Sequence, residues 1–99
     1  MTNHTETDTY GTKRYYRDDK LHRDGGLPAI ETADGVKVWY VNDLIHLDGG
    51  LPATEWSDGS KAWYVHGNNV SEEQAVFIHN MKIKRAKRVF WRWYNLSIR

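Results

Sequence analysis

Ninety-nine residues, a net charge of +1 and no cysteine bound this chain to one small domain without disulfide staples or thiolate metal sites. A chain of this size hides only about two-thirds of its unfolded surface, so its core is thin and self-association is a natural supplement. No apolar run approaches the roughly 20 residues of a membrane span, and the polar start MTNHTETDTYGT lacks a signal-peptide pattern, so the expected compartment is the cytosol.

The near-neutral total hides an asymmetry. Residues 1–36 carry five Lys/Arg against seven Asp/Glu, residues 37–71 two against four, and residues 72–99 seven against two. An acidic body with a basic end can attract an acidic partner locally or pack head to tail with itself.

In chain order, residues 1–12 show no periodic apolar signal and read as a flexible lead. Residues 13–36 then reappear as residues 37–60 with 13 identities in 24 positions, and a third copy starts at Lys61 and breaks off. Such a period marks a repeat architecture, each unit being one supersecondary element that cannot bury its apolar face alone.

Asp34-Gly35 and Asp58-Gly59 are hairpin turns between strand-like runs. As two-residue turns they set Thr32 opposite Lys37 and Ile30 opposite Trp39, with Ala29/Tyr40 and Glu31/Val38 on the other side. One face then carries Trp, Ile and Val and forms the core. The other carries Tyr16, Tyr40 and Tyr64 with Glu31 and Glu55. The Gly-Gly-Leu-Pro segments at 25–28 and 49–52 connect one hairpin to the next.

Gly67-Asn68-Asn69 is a breaker, and Ser71 followed by Glu72-Glu73-Gln74 is an N-cap with a capping box. From there the spacing predicts a helix over 72–95, ahead of a tail at 96–99. Its apolar stripe is Val76, Ile83, Ala86, Phe90 and Trp93, with His79 on the same line. The Trp face of the sheet is its expected partner. The predicted fold is α+β: an antiparallel β-meander of about five strands packed against one long C-terminal helix, a single domain over 13–99.

Trp39-Tyr40-Val41-Asn42, Leu21-His22-Arg23-Asp24-Gly25, Pro28-Ala29-Ile30-Glu31 and Asp34-Gly35 together resemble the MORN-like hairpin repeats of small tailed-bacteriophage and giant-virus proteins. The likeness covers about residues 13–71. It implies a viral setting and carries over no catalytic residue. The Asn-Gly that follows Trp-Tyr in the pattern is Asp18-Asp19 in the first copy and Asn42-Asp43 in the second; only His66-Gly67 keeps the glycine. The His-Arg pair becomes His46-Leu47, which leaves Arg23 alone to make any contact by that arginine.

Several groups could carry chemistry. His22-x-Asp24 and His46-x-Asp48 have metal-ligand types, but histidine at a turn more often bonds local backbone, and no metal site is expected. A tyrosine row offers contact area with a polar tip, which makes Tyr16, Tyr40, Tyr64, Glu31, Glu55, His22, Arg23 and His46 the candidate binding surface. Lys84, Arg85, Lys87, Arg88 and Trp91 mix cations with an aromatic ring, as nucleic-acid sites do and as any solvated basic helix face does. No nucleophile–base set, carboxylate pair or phosphate loop occurs, so the chain reads as non-enzymatic and without cofactor.

The expected function, resting on the viral resemblance, is an accessory protein that binds and inhibits a host protein such as a defence component. One alternative is an oligomeric sponge for a small nucleotide. Nucleic-acid binding through the basic helix is disfavoured by the acidic repeats. A homodimer or higher homo-oligomer is expected, formed through the Tyr face or through sheet edges at Tyr15-Tyr16 and Trp63-Tyr64.

Overall fold

The computed structural model describes residues 2–83. The expected helical continuation to residue 95, the tail 96–99 and the basic-helix residues Lys84, Arg85, Lys87, Arg88 and Trp91 lie outside the described residues.

The architecture is an antiparallel meander followed by a helix, as the repeats predict. It is divided into ten short strands, where about five were expected. They are β1 (Asn3–Thr7), β2 (Lys13–Arg17), β3 (Lys20–Leu21), β4 (Ile30–Glu31), β5 (Lys37–Val38), β6 (Tyr40–Val41), β7 (Leu44–Ile45), β8 (Thr54–Glu55), β9 (Lys61–Val65) and β10 (Asn68–Val70). The main path runs β1-β2-β4-β5-β8-β9-β10, with β3 on β2 and a separate β6-β7 pair. Helix α1 covers residues 72–83 of the described chain.

Most partner strands are short because each long extended run is divided among two or three of them. The first half of β9 pairs with β8 and its second half with β10. The run through β5 and β6 does the same with β4, β8 and β7. Each unit therefore holds a second hairpin beyond the expected one. Its two-residue turns are Asp18-Asp19, Asn42-Asp43 and His66-Gly67, and all six residues have positive φ, between 48° and 85°. That is the type I′ geometry that matches strand twist. The departures from Asn-Gly are thus substitutions among residues that tolerate the left-handed region.

The Asp-Gly hairpins form, but one residue out of the expected register. Ile30 pairs with Val38 and Glu31 with Lys37, so Trp39 is not opposite Ile30. The next hairpin pairs Thr54 with Ala62 and Glu55 with Lys61. The loop has three residues, not two. Thr32 N–H bonds Val36 O while Gly35, at φ 101°, donates to Thr32 O. A turn closed by a left-handed glycine explains the extra residue. One consequence is a row in which charge alternates across five strands: Lys13, Glu31, Lys37, Glu55 and Lys61. Opposite charges on facing positions favour this register by about 0.2–1 kcal/mol per pair.

Residues 3–7 are not a loose lead. They form β1 and pair with β2 along its whole length, from Asn3 opposite Arg17 to Thr7 opposite Lys13. Thr2 completes the junction, its N–H bonding Asp18 Oδ1 at 2.9 Å while its carbonyl accepts Asp18 N–H at 2.8 Å. A wholly polar strand with both faces exposed gives no hydrophobic period, so pattern reading passes it by. With β1 on β2 and β10 on β9, Tyr15-Tyr16 and Trp63-Tyr64 are not at the sheet margins. The margins carry Asn3–Thr7 and Asn68–Val70, which removes the argument for edge pairing through those tyrosines.

The helix start is as predicted. Gln74 N–H bonds Ser71 Oγ at 3.1 Å, and Gln74 Oε1 accepts Ser71 N–H at 2.9 Å. Its docking is not. Ala75 is buried and Ile78 and His79 half-buried, whereas Val76 and Ile83 are each 40% exposed. The packed face is 75-78-79-82, which keeps His79 of the expected stripe but has Ala75, Ile78 and Lys82 in place of Val76 and Ile83, although Val76 still touches Gly50. It rests on the Gly49-Gly50 loop, and Trp39 and Trp63 are half-buried, not fully buried. The core is correspondingly thin: Ala29 and Ala53 are fully buried, with His22, His46 and Thr54 beside them.

The second-hairpin geometry makes an asymmetric prediction. Asp19 holds φ at 63°, a region that costs an L-residue about 1–2 kcal/mol, part of which glycine returns as chain entropy. Asp19→Gly should raise unfolding stability by roughly 0.5–1 kcal/mol in urea titration. Asp43→Gly should not, because the Asp43 carboxylate accepts Leu21 N–H at 2.6 Å.

Candidate functional site

The two repeats meet through a bond set that recurs with the 24-residue period. His22 Nδ1 accepts the backbone N–H of Asn42 at 3.2 Å, and His46 Nδ1 accepts that of His66 at 2.9 Å. In each case the acceptor lies in one repeat and the donor in the type I′ turn of the next. With Nδ1 accepting, the ring proton sits on Nε2, which donates to Asp24 Oδ1 or Asp48 Oδ1, both at 2.8 Å. Backbone adds to the junction, since Asp43 N–H bonds Leu21 O and Gly67 N–H bonds Ile45 O, each at 2.9 Å.

Charged groups extend both clasps. At the first, Arg17 reaches Asp24 at 3.4 Å and Asn42 Oδ1 at 3.2 Å. At the second, Lys82 from α1 reaches Asp48 at 3.3 Å, and the His66 ring stacks on His46 with centroids 4.3 Å apart. The His22 hydrogen bond, with Arg17 nearby, holds the Asp24 carboxyl below its ordinary value. Burial pushes Asp48 up, but the His46 bond and Lys82 outweigh it and its carboxyl also lies low.

Indoles tie down the connecting loops. Trp39 Nε1 donates to Gly26 O at 2.9 Å and Trp63 Nε1 to Gly50 O at 3.0 Å. The tryptophans therefore belong to loop anchoring, which their placement in the sequence pattern did not reveal.

Of the sequence-predicted surface, His22 and His46 come together with their neighbours as structural clasps. The Tyr and Glu residues do not share a face. Glu31 and Glu55 lie in the lysine row, on the side of Tyr15 and Trp63, while Tyr64 lies with Ala62 on the other. The one-residue register difference is the cause. Tyr16 stacks on His4 at 4.7 Å. Arg23 is occupied too: its guanidinium covers the Tyr15 ring at 3.7 Å, bonds Glu31 at 2.6 Å and reaches Pro28 O at 3.3 Å. No three metal-ligating side chains gather among the described residues.

Sequence reading missed the leucines. Leu27 and Leu51, at equivalent positions of the two Gly-Gly-Leu-Pro loops, are 48% and 55% exposed. They flank a groove of about 390 Å³ whose walls include Trp39, Tyr40 and Val41 and whose rim carries Asp24 and Asp48. The duplicated Leu was visible as an identity, but its outward orientation follows from a loop conformation that two left-handed glycines set, Gly25 at φ 78° and Gly26 at 72°.

Compared with known proteins, the chain matches no family model, no curated protein and no solved structure. No helix among the described residues is long and apolar enough to cross a membrane.

Two measurements check this geometry. His22→Phe leaves the Asn42 N–H without its acceptor and should cost about 1–3 kcal/mol in urea unfolding. The low-lying carboxyls bind protons less readily folded than unfolded, so their stabilisation is complete above the ordinary value of 3.8 and is lost as pH falls below it. Unfolding midpoints taken between about pH 5 and pH 2 should drop less steeply for the Asp24→Asn/Asp48→Asn double variant than for the parent.

Proposed function

We propose that the chain is a non-enzymatic binding module that engages a protein partner through the groove between its repeats. The observation that carries this reading is the equivalent exposure of Leu27 and Leu51 beside a half-buried tryptophan, within a rim of acidic side chains. Exposed apolar area framed by polar groups is what a contact surface needs. The other chemically capable groups are spent internally: the two clasp histidines hold neighbouring turns, and Arg23 holds Glu31. That engagement of Arg23 weakens support for the nucleotide sponge. The resemblance of the repeats to phage and giant-virus sequences makes a host protein the partner, and inhibition of that protein the effect.

A photo-crosslinking residue at position 51, introduced in host cells, captures the partner for purification. Leu27→Ser/Leu51→Ser should then weaken binding of the purified partner at least tenfold, two exposed leucines being worth about 1–3 kcal/mol, while the melting temperature stays within a few degrees. Unchanged affinity would reject the groove as the contact.

A further inference from the structure

The two connecting loops are built alike, but among the described residues only one carries a helix. Six residues of the inter-repeat groove correspond, 24 positions on, to six residues of the cleft under α1. They are His22, Arg23, Asp24, Gly25, Gly26 and Val41, matched by His46, Leu47, Asp48, Gly49, Gly50 and Val65. The loop backbones agree as well, Gly26 and Gly50 both standing at φ 72° and both giving their carbonyls to a tryptophan.

At the second loop the first turn of α1 lies directly on the glycine. A Cβ on Gly50 would meet Val76 Cγ2 at 3.0 Å and Val76 Cα at 3.3 Å. Ala75, Ile78 and His79 close the cleft to about 10 Å³, and Lys82 ends the contact on Asp48. At the first loop, a Cβ on Gly25 or Gly26 meets no described atom within 4 Å, and Asp24 is exposed. The apolar floor, the bare glycine backbone and the terminal carboxylate are all present there. The helix is not.

From this internal precedent we infer that the Gly25-Gly26 loop and its groove are a docking site for an amphipathic helix of the partner protein. That helix carries a small residue in the cleft beside the glycines, an aliphatic residue three positions on, and Lys or Arg seven positions on, set on Asp24, and the residue after the small one lies on the glycine backbone as Val76 lies on Gly50. The inference deepens the protein-binding reading given above and rests on it. Helix-in-groove recognition uses this i, i+3, i+7 pattern of anchors. The charge on the rim selects the sign: Asp24 at one loop, like Asp48 at the other, faces outward beside the apolar floor. Arg23, which replaces Leu47 at this loop, does not repel the incoming cation from the rim, since it is turned onto Glu31 and Tyr15. Arg17 already reaches Asp24 at 3.4 Å, where its counterpart Val41 leaves Asp48 to Lys82, so the incoming cation shares the Asp24 carboxylate with Arg17.

The chain's own helix supplies the probe. An acetylated, amidated peptide of residues 71–83, stapled across the exposed positions 73 and 77 to offset the cost of nucleating so short a helix, is titrated into the isotope-labelled full chain. Amide shifts should concentrate at residues 24–28 and at Val41, with millimolar affinity. Two peptide changes cannot unfold the protein and should each act alone: Lys82→Glu should weaken binding about fivefold, and Ala75→Trp should abolish it. Combining the Lys82→Glu peptide with Asp24→Lys protein should recover most of the loss. Shifts confined to the Gly49-Gly50 loop, no shifts at all (as when the chain's own C-terminal residues already cover the groove), or indifference to Lys82→Glu and Ala75→Trp would overturn the docking site. These readouts need no natural partner, so they fail separately from the crosslinking experiment on which the binding reading depends.

Discussion

The structure depends on one bonding arrangement, a nearly buried imidazole with both nitrogens engaged, Nδ1 across a repeat boundary and Nε2 within its own repeat. A hairpin unit of 24 residues has too little apolar area to hold a neighbour by packing, and the buried hydrophobic side chains here are alanines. Hydrogen bonds to otherwise orphaned turn N–H groups then decide how the units stack. A buried N–H left without an acceptor costs more than an average bond contributes, so each clasp fixes position more strongly than its net energy suggests. The aspartate behind each ring fixes the tautomer, as the outer partner of a histidine does wherever its bonding direction matters.

From that arrangement the surface follows. The polar residues that first invite a chemical interpretation, His22, His46, Asp24, Asp48 and Arg23, turn inward or pair with one another. Apart from the outer edges of Asp24 and Asp48, what is left facing outward in the groove is aliphatic and aromatic. The glycines of the connecting loops have a double role: they make the loop conformation and they leave a flat patch of backbone on which a helix can lie. Only the second loop carries one among the described residues, and Lys82 shows how such a helix is held at its far end.

Much of the architecture was legible in the amino-acid sequence because duplication writes the period twice. The 24-residue spacing, the Asp-Gly hairpins and the Ser71 capping box are all where the pattern puts them. The register was not legible, because Asp-Gly occurs both in two-residue turns and at the end of a three-residue turn, and only the Thr32–Val36 pairing separates them. The type I′ hairpins were hidden by Asp18-Asp19 and Asn42-Asp43, which reach positive φ without the glycine that signals it. β1 was hidden because a margin strand that buries nothing has no reason to alternate. The helix face was misplaced because Ala75, which is buried in the cleft, scores lower as an anchor than Val76, which touches Gly50 yet stays 40% exposed. The site suffered most from this: the Tyr/Glu surface dissolved with the register, and the leucines that replace it sit in loops, where periodicity says nothing.

The termini of the array differ from its interior in a way that bears on how such a chain changes over generations. Thr2 and β1 take the role of a preceding unit, accepting from Asp18 the N–H that a histidine ring would otherwise accept. At the far end Val70 stands at the position of His46, and the helix takes over. An in-frame duplication of 24 residues between these two ends would bring its own imidazole, its own aspartate and its own turn, and would leave both caps untouched. Copy number can therefore drift without any new invention at the boundaries, whereas loss of the first strand would leave the Asp18 N–H without its Thr2 acceptor. Variation in length within such arrays should come in whole units, with the first seven residues and the Ser71 junction held constant.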